Sequence, residues 1–125
     1  MSFESRIAEA LAPLPFELFP DFYDRNKTYK KGGKTLPPLD EWGAYNLVSE
    51  RVGAYADDVD VADAITADVH YFTPSKTKAI EMRKRIRRAL RLAGFVIQAQ
   101  GLTYERDTEY YHARVEIFEL IETEE

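Results

Sequence analysis

Cysteine is absent from the 125 residues. That excludes disulfide scaffolds, thiolate metal sites and cysteine nucleophiles, and it fits a reducing compartment. No apolar run approaches the roughly 20 residues needed to span a bilayer. The opening MSFESRIAEALAPL has no basic leader before an apolar core, so a secretory signal is not expected. A Gly-rich phosphate loop and a G-x-S-x-G elbow are both missing. Basic residues are the minority, 17 Lys and Arg against 22 Asp and Glu, and the net charge of −5 gives no bulk attraction for nucleic acid.

Hydrophobic residues make up 45% and aromatics 13%, which is a globular composition. The length suits one domain that buries roughly two-thirds of its unfolded surface without a metal or disulfide. Charge is segregated. Residues 76–91 hold eight of the 17 Lys and Arg with one carboxylate, while 53–73 hold five Asp and no cation. Opposed patches of this kind steer partners, or copies of one chain, together.

Phe3, Ile7, Ala8 and Leu11 fall at helical spacing behind Ser2, a suitable cap. Residues 13–40 carry five of the six prolines and a Lys-Lys-Gly-Gly-Lys run. They read as a long arm, with at most one short extended piece near Pro15–Phe19. The arm has too little apolar surface to offset its own ordering, so it is expected to be mobile at Lys27, Lys30, Lys31 and Lys34. Period-two patterns predict strands around Trp42–Val48 and Ala62–Thr73, separated by an acidic turn. Over 76–93, Ala79, Ile80, Met82, Ile86, Ala89, Leu90 and Ala93 form one apolar stripe, with Ser75 as N-cap and Gly94 as the left-handed stop. Phe95–Arg106 and Tyr111–Ile121 read as the last two strands.

The expected fold is α+β in one domain, 1–125. A mostly antiparallel sheet of four strands or slightly more packs against one long central helix. The parts are an N-terminal helix (1–12), a Pro/Gly-containing arm (13–40), a sheet–helix–sheet core (41–121) and a frayed tail (122–125). The core is expected from Ile80, Met82, Ile86, Leu90, Phe95, Ile97, Val115 and Ile117.

Chemistry is sparse. His70 and His112 lie on strands that could be neighbours, and Asp68 or Glu116 could join them on a metal. Two histidines without a spacing motif fit polar sheet positions better. Asp57, Asp58, Asp60 and Asp63 lack the frame of a calcium loop. No catalytic residue, cofactor or metal is expected. The basic helix admits a nucleic-acid-binding or regulatory module. However, a charged outer face is the usual way to solvate an amphipathic helix, and no aromatic interleaves its arginines. The better reading is an interface of opposite charges, Arg83, Arg85, Arg87, Arg88 and Arg91 against Asp57, Asp58 and Asp60, with Tyr45, Tyr55 and Tyr104 supplying contact area.

The order of features continues through a strand with Tyr45, the stretch "YADDVDVADAITADVHYFTPSK", a charged helix ending "RLAGF" and a hairpin "YERDTEYYHARVEIFEL". From about Trp42 to Leu120 this resembles the small tail-completion, or tail-terminator, proteins of long-tailed bacteriophages and prophages. The resemblance implies a structural virion protein that caps the tail tube as a ring, commonly a hexamer. It also implies docking to a head-side connector or stopper, with DNA passing through the ring without sequence-specific binding. It implies no catalytic residues and no membrane, and a place in the tail or neck after assembly in the host cytoplasm. Another neck or head-completion adaptor would share these features. The arm at 20–40 has no counterpart in that pattern.

Overall fold

The computed structural model describes residues 2–21, 23–24, 27–36, 38–56 and 59–122, with the backbone alone at 29–30, 51–56, 59–62 and 121–122. The chain order is α1 (Phe3–Leu11), β1 (Leu18–Pro20), β2 (Tyr29–Lys31), β3 (Lys34–Leu36), β4 (Trp42–Ala56), β5 (Val59–Thr73), α2 (Lys76–Leu92), β6 (Val96–Glu105) and β7 (Tyr110–Glu122). The fold is α+β, with a mixed five-stranded sheet ordered β1-β4-β5-β7-β6 and both helices on one face. The β4–β5, β5–β7 and β7–β6 pairs are antiparallel, and β1 joins β4 in parallel. Among the described residues no helix is long and apolar enough to cross a membrane.

The helices form where their caps and stripes dictate. Ser2 accepts a hydrogen bond from the Ser5 amide, and Phe3, Ile7 and Leu11 bury one face of α1. Ser75 caps α2 by accepting from the Lys78 amide, and Ala79, Met82, Ile86 and Leu90 are buried. The end of α2 is a Schellman turn. Gly94 takes φ +98°, its amide donates to the Arg91 carbonyl, and the Phe95 amide donates to the Leu90 carbonyl. Phe95 then returns to the core, edge-on to Phe3 at 5.4 Å, with the Arg6 guanidinium 4.6 Å from the Phe95 ring centre.

Alternation along β5 and β7 divides the sheet. Ile65, Ala67, Val69 and Tyr71 face the helices with Ala113, Val115 and Ile117, and all are buried. Six of the eight expected core residues are buried; Ile80 and Ile97 are half-buried. The expectation omitted β5 and α1, which supply much of the core.

Two expectations need refinement. The sheet is mostly antiparallel and has five strands, within the four or slightly more expected, but the parallel pairing of β1 makes it mixed. The segment expected as one long arm instead carries β1, and β2 and β3 form an antiparallel hairpin. Gly32 and Gly33, both at positive φ, make its turn. Lys30 and Lys34 lie on this hairpin, Lys31 pairs with Glu17, and Lys27 lies 3.7 Å from Asp24. The fifth strand depends on a close approach. At Gly43 an added Cβ would lie 2.4 Å from the Phe16 ring, where the Gly43 amide donates to the Glu17 carbonyl at 2.8 Å.

Two substitutions test this architecture by chemical denaturation. Leu90→Ala, at a fully buried site, should cost about 2–5 kcal/mol. Gly43→Ala should cost about 1–3 kcal/mol by overpacking β1 against β4. An unchanged midpoint in either variant would contradict the packing.

Candidate functional site

The face opposite the helices is built from cross-strand rows. Register places Trp42 beside Phe72 and Phe72 beside His112, then Ala44, His70 and Arg114, then Asn46, Asp68 and Glu116. In the first row the rings stack, Trp42 on Phe72 at 5.2 Å and Phe72 on His112 at 4.4 Å. In the last two rows Arg114 bridges Asp68 at 3.2 Å and Glu116 at 3.1 Å. Burial raises the Asp68 pKa even though Arg114 pulls it down.

His70 and His112 sit diagonally across β5 and β7. His70 Nδ1 lies 2.7 Å from His112 Nε2, and His70 Nε2 lies 2.7 Å from Asn46 Oδ1. Because Asn46 Oδ1 only accepts, the His70 proton sits on Nε2, and His112 Nε2–H donates to His70 Nδ1. A second proton on His70 would aim two N–H groups at each other. Burial, the neighbouring His112 and Arg114 together lower the His70 pKa to about 4. Burial also lowers that of His112, with Arg114 adding to the effect and Glu105 opposing it. Two imidazole nitrogens on one zinc at the usual 2.0–2.1 Å bond lengths would be more than about 3 Å apart. The pair is therefore joined by a hydrogen bond and is not set out as two metal ligands. Among the described residues no group of three His, Asp or Glu is arranged to hold a metal.

At the Trp42 end the chain after β1 folds over this face. Asp21 takes φ +63°, and Tyr23 stacks on Phe19 at 4.5 Å and leans on Trp42 at 5.0 Å. The Leu39 amide donates to the Tyr23 hydroxyl at 2.6 Å. The result is a cleft of about 430 Å³, walled by Tyr23, Trp42, Phe72 and Tyr110, with His70 and His112 in its lining. Asp21, Asp24 and Glu105 reach it, and among the described residues no Lys or Arg lines it. With both histidines neutral near pH 7, the cleft is aromatic and negative.

The expected interface residues are dispersed. Arg85, Arg88 and Arg91 are exposed on α2. Arg87 donates to Gln100 at 3.0 Å. Arg83 is half-buried, and its Nε has no hydrogen-bond partner among the described residues. Tyr45 is not a free surface residue: it packs beside the core on the helix side, where burial raises its hydroxyl pKa, helped by Glu4 and Asp21. Tyr104 is exposed on β6 and packs 4.8 Å from Tyr111. Tyr55 pairs with Asp60 near the far end of β4 and β5, beyond the level of Thr66, Phe118 and Val96 at which α2 has ended. Asp57 and Asp58 lie outside the described residues. The aromatic cleft was not expected from the sequence, although the alternation that carries it, Trp42–Ala44–Asn46 and Asp68–His70–Phe72, is visible there.

The histidine pair sets a pH dependence. The folded pKa of His70, about 4, lies below its unfolded value of 6.5. Between these values the unfolded chain binds more protons, so stability should fall as pH drops through that window. After discounting for partial solvent exposure, His70 should contribute on the order of 1–2 kcal/mol. Urea titrations at pH 7 and 4.5 should show a smaller loss for His70→Gln than for the parent chain, and equal losses would contradict the assignment. The sequence matches no protein-family model, and no curated protein matches it at a significant level.

Proposed function

We propose that this chain is a structural protein of a long-tailed bacteriophage or prophage. It caps the tail tube as a ring, most simply of six copies, and docks to a head-side connector or stopper. The observation that supports this reading is the pair of open sheet edges. Along β6, and along β4 beyond Tyr45, no further strand is paired among the described residues. Such edges accept strands from another copy or from a partner. Exposed Val96, Tyr104 and Leu120 add apolar area nearby. Exposed cations on α2 supply a charged surface for a neighbour, or for the ring exterior, and keep a basic lumen away from passing DNA. The virion tail or neck is then its location, reached by assembly in the host cytoplasm. A neck or head-completion adaptor of another kind would use the same edges. No step in this role requires catalysis.

The test reverses charge at Arg85, Arg87 and Arg88 together and follows tail assembly and ring formation by electron microscopy. Rings should be lost or misassembled in the triple variant. Normal rings and tails would remove α2 from the contact, and a salt-sensitive shift of DNA by the parent chain would favour a nucleic-acid module instead.

A further inference from the structure

We propose that the aromatic cleft is a receptor for an arginine or lysine side chain, and that its occupant is α2 of a second copy of this chain. The inference rests on the self-assembly reading and names the contact within it. A cation is favoured over the face of Trp, Tyr or Phe, and more so when carboxylates share the site. Here four aromatic rings, Tyr23, Trp42, Phe72 and Tyr110, wall a cleft of about 430 Å³, a volume in the usual range for a specific ligand site. Asp21 and Glu105 reach it, and among the described residues neither has an ion-pair partner. Lys27 lies 3.7 Å from Asp24, and Arg114, beside His70 in the sheet, is held by Asp68 and Glu116. Among the described residues the lining therefore has carboxylates and ring faces but no Lys or Arg.

The complementary group is on the same chain but out of reach. Lys84, Arg85, Arg88 and Arg91 are exposed on α2, and among the described residues none has an acidic partner. α2 covers the face that carries Val69, Tyr71 and Val115, whereas the cleft opens on the face of Phe72 and His112. One copy cannot bring the two together, but a head-to-tail neighbour can. Guanidinium suits the site best, because it is planar, weakly hydrated and stacks on aromatic rings.

Trp42 is the one tryptophan, so its fluorescence reports on the cleft. The full chain is titrated with N-acetyl-arginine amide and with the neutral isostere N-acetyl-citrulline amide. The arginine compound should give a saturable change, weakened about tenfold or more in Asp21→Asn/Glu105→Gln, and the citrulline compound should not. No saturable change, or an equal response to both, overturns the receptor. Sedimentation then tests the occupant. The cleft variant and an Arg85→Glu/Arg88→Glu helix variant should each be monomeric where the parent chain associates. Mixed together they should form one-to-one dimers and nothing larger, because each retains one half of the contact. A mixture that stays monomeric, or a parent chain that never associates, overturns α2 as occupant. Rings seen by microscopy in the cleft variant would also overturn it and leave the ring intact. Arginine binding and mixed dimers without rings would leave the contact standing and remove the ring.

Discussion

The pairing of β5 with its two neighbours is the constraint on which the rest depends. Side chains alternate along a strand, so a slip of one residue would exchange the two faces. As paired, Ile65, Ala67, Val69 and Tyr71 lie under the helices, and Asp68, His70 and Phe72 lie on the other face. The slipped register would bury an aspartate and a histidine beneath α2 and expose four apolar side chains. Burying the charge unpaired would be costly, as would losing the apolar burial. That penalty fixes the register, and the register in turn builds the stacked row Trp42–Phe72–His112 and the polar network below it. The site is a by-product of the same alternation that makes the core.

Much of the body was legible because its signals are local. The α2 stripe, the Ser75 cap and the Gly94 stop each act within a turn of helix, and the structure places all three as read. The strand pattern of β5 and β7 was readable for the same reason. Register was not, since it depends on contacts between residues far apart in the chain. Trp42, Phe72 and Tyr110 therefore looked unrelated, although they share a wall of one cleft. In the stretch 13–40 the short extended piece near Pro15–Phe19 overlaps β1, but the hairpin is not legible, because the prolines and glycines suggest irregular chain. Pro20 ends an edge strand, where proline is tolerated, and Gly32 and Gly33 close a hairpin.

The fifth strand also explains why a cleft exists at all. Parallel pairing of Leu18–Pro20 with Gly43–Tyr45 carries the chain along the sheet edge, away from Trp42. The Asp21 amide then donates to the Tyr45 carbonyl at 2.7 Å, and the backbone turns through a positive φ. That turn carries Tyr23 over Trp42. Gly43 sits beneath it all, because a side chain there would displace Phe16 and the strand it anchors. A residue without a side chain thus controls a site to which it contributes no atom.

Charge placement limits how copies of such a chain can meet. A two-fold contact joins like to like, so cleft against cleft would set Asp21 and Glu105 against their own copies, and helix against helix would oppose arginines. A head-to-tail contact joins cleft to helix and leaves one of each unused at the ends. Such contacts either close into a ring or continue as a filament, and the rotation between neighbours decides which. Exposed ion pairs contribute only about 0–1 kcal/mol each, too little to hold a ring together. Their effect is to fix orientation, while most of the affinity must come from apolar area. Val96 and Leu120 are each more than half exposed and lie outside the cleft. Alignment and adhesion are thus assigned to different parts of the surface.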